Sequence, residues 1–104
     1  MIKAEFYQSE KQYCGFRVTG HAGFAESGQD IVCAAVTSAC MLAANIITDG
    51  FHIKAEAGAE DNVMLCIADK PDERVHAVMD MLAQQLEMIR GEYPHTIKIS
   101  FSEV

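Results

Sequence analysis

His21 and Cys33 are the residues best able to do chemistry together. They lie twelve positions apart in the stretch "TGHAGFAESGQDIVCAAVTSAC", from Thr19 to Cys40. A thiolate attacks carbonyl carbon readily, and a neighbouring imidazole is its natural general base. Cys33 stands where an apolar run begins, at about the third position of a helix if Asp30 is the N-cap. A thiolate there meets unpaired backbone N–H groups and the positive end of the helix dipole, and both favour its charged form. The same N–H groups are candidate donors to an oxyanion. Asp30 has two possible roles, to cap the helix or to orient His21 as the carboxylate of a triad does. Local chemistry also leaves a plainer alternative. Cysteine is among the most buried residue types, so Cys33 could be core and His21 an ordinary loop residue.

The other candidates carry less. Cys14, Cys40 and Cys66 fall on apolar positions and read as core. Cys40 is two helical turns beyond Cys33, about 10 Å by helical rise, too far for a disulfide. A redox thiol role would lack a nearby resolving cysteine. A metal site built on His21 and Cys33 would need further ligands, and none is well spaced. His52, His76 and His95 read as surface or half-buried residues, and most internal methionines as core filler. Met81 and Met88 lie partly off the apolar stripe of their helix, which hints at a second subunit.

These residues must be positioned by an α+β fold of order ββα-ββα-β, a mixed or antiparallel sheet covered by two helices. Ile2, Ala4 and Phe6 alternate with polar neighbours, as do Cys14, Phe16 and Val18 across the polar turn "QSEKQ", so a hairpin is expected. The segment from Thr19 to Gln29 is long for a connection and carries Gly20, Gly23 and Gly28, as a functional, flexible loop would. A helix is expected from about Ile31 to Thr48, rich in small residues. "FHIKAEA" and "VMLCI" read as strands around the turn "GAEDN". A second helix starts near Pro71–Asp72 and ends before Gly91, and "TIKISFSEV" gives the last strand.

At 104 residues one domain, 1–104, is expected, and half of the residues are hydrophobic, enough for a core. Eight Lys plus Arg face fifteen Asp plus Glu, a net charge of -7. That argues against sequence-independent nucleic-acid binding and favours a basic partner. The start, "MIKAEFYQSE", has no apolar stretch of signal-peptide length, and no run of about 18 apolar residues is expected to span a membrane. A cytoplasmic location with free thiols is expected.

"GHA", the Gly-rich acidic loop and "GQDIVCAAVTS" together resemble the ribosomal-processing cysteine protease family, Prp. Length and element order agree over essentially the whole chain. The resemblance implies a bacterial homodimer, without cofactor, that removes the N-terminal extension of ribosomal protein L-twenty-seven by cutting within a short apolar segment containing an aromatic residue. It implies His21 as general base, Cys33 as nucleophile and Asp30 as a structural or orienting residue. The family often has Ser four residues after the Cys. Here that position is Thr37, with Ser38 beside it, and either hydroxyl is a candidate orienting group. The competing expectation is a non-enzymatic, ribosome-associated binding protein with Cys33 buried.

Overall fold

The computed structural model describes residues 1–20 and 29–104, with side chains for 1–20 and 31–104. Strands β1 (Ile2–Ser9) and β2 (Gln12–Thr19) form the first hairpin, and β3 (Ala55–Glu60) and β4 (Val63–Ala68) the second. Helix α1 (Gln29–Asn45) joins the hairpins and ends in a π-helical turn, Ile46–Gly50. Helix α2 (Glu73–Glu92) leads to the last strand, β5 (Ile97–Glu103). The sheet order is β3-β4-β2-β1-β5. All neighbours are antiparallel except β1 and β5, which run parallel. The expected α+β class and element order are therefore observed, with a mixed sheet.

Both hairpin turns are tighter than the sequence pattern suggests. The first needs only Glu10 and Lys11 (φ 53° and 68°), the second only Asp61 and Asn62 (φ 51° and 65°). Two consecutive positive-φ residues make a turn whose twist matches that of the strands it joins. Gly58, Ala59 and Glu60, expected in the second turn, therefore extend β3 instead. At the other end of β3, residues 51–54 are not strand, and His52 takes φ 55°.

The alternating apolar residues of the strands meet the helix stripes on one face. Phe6 and Phe16 pair across β1 and β2. With Ile2, Cys66, Val32, Val36, Cys40, Val75, Met79 and Leu86 they form a core almost without solvent access. Each large side chain so buried contributes roughly 1.5–3 kcal/mol. Gly15 makes close packing possible within the sheet: a Cβ there would lie 2.6 Å from the Cys66 carbonyl oxygen. A bulge opposite Tyr7 and Gln8 leaves Cys14 unpaired in the ladder, half-buried rather than in the core. It also turns the Tyr13 N–H toward α2, where it donates to Nδ1 of His76 at 2.9 Å, and the two rings stack 5.1 Å apart.

Helix α2 is capped by Asp72, which accepts from the Arg74 N–H at 2.8 Å and binds its guanidinium. Those bonds hold the Asp72 carboxyl down at about 2. The Arg74 guanidinium also lies 5.1 Å over the Phe51 ring, which joins the π-helical turn to the start of α2.

From Ile31 to Gly50 the first helix and its π turn are long and apolar enough, by length and composition, to cross a membrane. The segment is apolar on average and not an unbroken apolar run, so the expectation that no such run exists stands. Thr37, Ser38, Asn45 and Thr48 interrupt its apolar residues, and Asp49 is its one charged residue. In this fold Val32, Val36, Cys40, Ala43 and Ile47 bury one stripe of that segment in the core.

Candidate active site

The ends of four strands and the start of α1 come together at one end of the sheet. Lys3 of β1 pairs with Thr19 of β2, Thr19 with Val63 of β4, and Val63 with Glu60 of β3. A cleft of about 320 Å³ opens there. One wall is α1, through Cys33, Val36, Thr37 and Met41. The other is the β3–β4 hairpin, from Ala59 to Met64, and Ile2, Val18 and Gly20 form the floor.

Cys33 is half-buried, packed against the core on one side and open to this cleft on the other. That geometry suits a nucleophile better than a core thiol. Cys40 and Cys66 show the contrast. Both are fully buried, and burial pushes the Cys40 thiol up to about 12 and raises that of Cys66 as well.

Helix α1 begins at Gln29, so Asp30 lies within the first turn and not at the cap position, and Cys33 is the fifth helical residue rather than the third. In an α-helix the first four N–H groups lack intrahelical partners. Here they belong to Gln29, Asp30, Ile31 and Val32, while the Cys33 N–H has the Gln29 carbonyl in reach. The sulfur therefore stands just beyond the first turn of α1.

The two hydroxyl candidates separate. Thr37, one turn beyond Cys33, lines the cleft, whereas Ser38 lines a groove between α1 and α2. The structure does not bring Ser38 to Cys33, because neighbouring helical residues point about 100° apart. Gly20 follows β2 with φ 76°, and a Cβ there would approach the Met1 carbonyl oxygen to 2.7 Å. It lines the cleft immediately before His21. His21, Gly23, Gly28 and the Asp30 side chain lie outside the described residues.

The hairpin wall was not legible as part of a site. Asp61 and Asn62 read as an ordinary turn, and Met41 and Met64 as core filler. Met41 is in fact exposed, and it and Met64 face the cleft. Met41 follows Cys33 and Thr37 at helical spacing, whereas Asp61, Asn62 and Met64 carry no local signal, since strand order alone brings them to Cys33.

The sequence profile of the family described as "Cysteine protease Prp" matches residues 1–98. The chain belongs to the Prp cysteine protease family. A curated relative, the ribosomal processing cysteine protease Prp of Bacillus subtilis (strain 168), is 29% identical over 108 residues, covering 96% of each chain. The crystal structure of an essential ribosomal processing protease Prp from S. aureus with a substrate peptide superposes with a TM-score of 0.85 at 19% identity. It covers 97% of this chain and 99% of that one. A second structure of that S. aureus protein, with a covalently linked product peptide, gives 0.83 at 20% identity, with coverage of 97% and 99%. This Prp-family chain is a cysteine protease, and the non-enzymatic alternative is set aside.

Proposed function

We propose that this protease removes the N-terminal extension of a large-subunit ribosomal protein of the L-twenty-seven type during bacterial ribosome maturation, with Cys33 as nucleophile and His21 as general base. The observation that carries the reading is the half-buried Cys33 sulfur opening onto an apolar cleft. Ile2, Val18, Val36, Met41, Val63 and Met64 give that cleft walls suited to a short apolar segment with an aromatic residue. The curated relative is named for ribosomal processing. A net charge of -7 favours a basic ribosomal substrate over nucleic acid. The site of action on this reading is the cytoplasm.

In the reaction His21 takes the Cys33 proton, and the thiolate adds to the scissile carbonyl carbon. The oxyanion accepts from N–H groups at the start of α1. His21 returns the proton to the leaving amine as the C–N bond breaks, leaving a thioester on Cys33. Water activated by His21 then adds to the thioester, and the acid product leaves as the thiol re-forms. Thr37 stands one turn from the sulfur, placed to hold the substrate chain.

The protein acts as a homodimer on the same reading. Ile31, Leu42, Met81 and Met88 leave large apolar side chains in solvent along α1 and α2, and Ala35, Ser38 and Ala39 make the groove between them shallow. A second copy's helices fit such a surface. Sedimentation should give twice the mass of one chain for the wild type and one chain's mass for a Leu42→Asp, Met81→Asp variant.

The function is tested by mass spectrometry of the extended ribosomal protein after incubation with the protease. Trimming within its apolar segment is expected, with none by Cys33→Ala or His21→Ala. An untouched extension overturns the substrate assignment, and full activity in Cys33→Ala overturns the nucleophile.

A further inference from the structure

Among the described residues, half of the backbone of the edge strand β3 is without a partner. The Lys54 carbonyl accepts from the Asp69 N–H at 3.1 Å, just before the ladder begins. That bond sets the parity of the β3–β4 pairing. Bonded and non-bonded pairs alternate along an antiparallel ladder, so Glu56–Ile67, Gly58–Leu65 and Glu60–Val63 are the bonded pairs. Ala55, Ala57 and Ala59 turn their N–H and C=O groups the other way. On that side β3 is the last strand of the sheet, and among the described residues nothing pairs with those groups.

The same three alanines point their side chains toward the helix-covered face. Ala57 lies opposite the buried Cys66 and Ala59 opposite Met64, and cross-strand partners share a face. Ala59 and Met64 line the cleft together with Cys33 and Thr37. The open edge therefore leads directly into the wall of the active-site cleft. It also lacks the usual guards against pairing. From Ala55 to Glu60 there is no proline, no lysine and no bulge, and the glutamates Glu56 and Glu60 alternate onto the opposite face. Methyl side chains leave space above the strand.

We propose that the substrate binds as an added strand along the free edge of β3, its backbone bonded to Ala57 and Ala59 and every second side chain entering the cleft beside Cys33. The inference rests on Cys33 as the nucleophile, and not on the ribosomal identity of the substrate. It makes main-chain pairing the main source of binding, with selectivity left to alternate residues.

The test is a scan of single N-methyl groups along a cleavable apolar, phenylalanine-containing peptide. Adding strand pairing predicts a three- to tenfold loss of kcat/KM at alternate positions, about the effect of one hydrogen bond. The intervening positions should stay within about twofold. A profile without alternation overturns the proposal. Ala57→Pro removes one outward N–H at an edge position that tolerates proline. It should lower kcat/KM by a similar factor while iodoacetamide labels Cys33 at the wild-type rate. Unchanged kcat/KM in a folded Ala57→Pro protein also overturns the proposal, and should that variant fail to fold, the scan on wild-type protein decides. A wild-type enzyme that ignores the ribosomal extension but cuts another apolar peptide with the alternating profile refutes the ribosomal reading alone. Normal trimming of the extension with a flat profile refutes the added strand alone.

Discussion

Cys33 and Thr37 stand one helical turn apart on α1 and line the same cleft. The spacing puts an exposed hydroxyl on the cleft beside the Cys33 thiol. Thr37→Val should lower kcat/KM about three- to tenfold, the scale of one lost hydrogen bond. Thr37→Ser should restore most of it. Neither variant should move the melting temperature by more than about 2 °C, since Thr37 is exposed. An unaffected Thr37→Val enzyme would remove the hydroxyl from the site.

The four thiols should react in a fixed order with iodoacetamide at neutral pH. Cys33 opens to the cleft and reacts first. Cys14 follows slowly: burial raises its thiol above the ordinary value, and its Sγ donates to the Tyr7 carbonyl at 3.5 Å. Cys40 and Cys66 should be modified only at the rate of global unfolding, because each is sealed in the core. Peptide mapping of partially modified protein checks the order.

Alkaline pH should destabilise the fold through Cys40. Burial raises its thiol from the ordinary 9.0 to about 12, so the native state holds the proton longer than the unfolded chain does. The stabilising contribution is complete below about pH 9 and is lost as the pH rises toward 12. Burial of Cys66 acts in the same direction. Urea midpoints measured from pH 7 to 11 should fall less steeply in Cys40→Ala than in the wild type.

His76 is a tempting alternative base, being half-buried with a ring nitrogen in a hydrogen bond. Its Nδ1 is occupied as the acceptor for the Tyr13 N–H that the β-bulge frees. His76→Phe keeps the stacking and removes the acceptor, which should cost about 1–2 kcal/mol of stability. Cleavage by the folded variant should be within about twofold of wild type by kcat/KM. A large loss of kcat with unchanged stability would give His76 a direct part in the reaction.

Much of this was legible in the residues. Alternation in β1, β2 and β5, the short apolar run of β4 and the apolar stripe of α2 gave the elements in the right order, because burial on one face imposes period two on strands and 3.6 on helices. Asp72 was legible as the start of α2, and Arg90 as a residue of its last turn. Two things were not. Strand order follows from pairings such as Thr19 with Val63, which leave no mark in either segment. So the cleft's second wall, Ala59 to Met64, stayed hidden. Asp30 was misplaced as the cap because a good capping residue can equally occupy the first turn, where its charge also suits the dipole.

The parallel pairing of β1 with β5 has a kinetic consequence. Ile2 meets Ile97 across nearly the full chain, and the Ser102 hydroxyl donates to Glu5 at 2.7 Å only once that strand has docked. Contacts so distant along the polymer pay their loop-closure entropy late. The local hairpins should assemble early, and the walls of the cleft, apart from its Ile2 floor beside Ile97, are built mainly from them and α1. Refolding followed by a probe at Cys33 should therefore outpace refolding followed at Phe101.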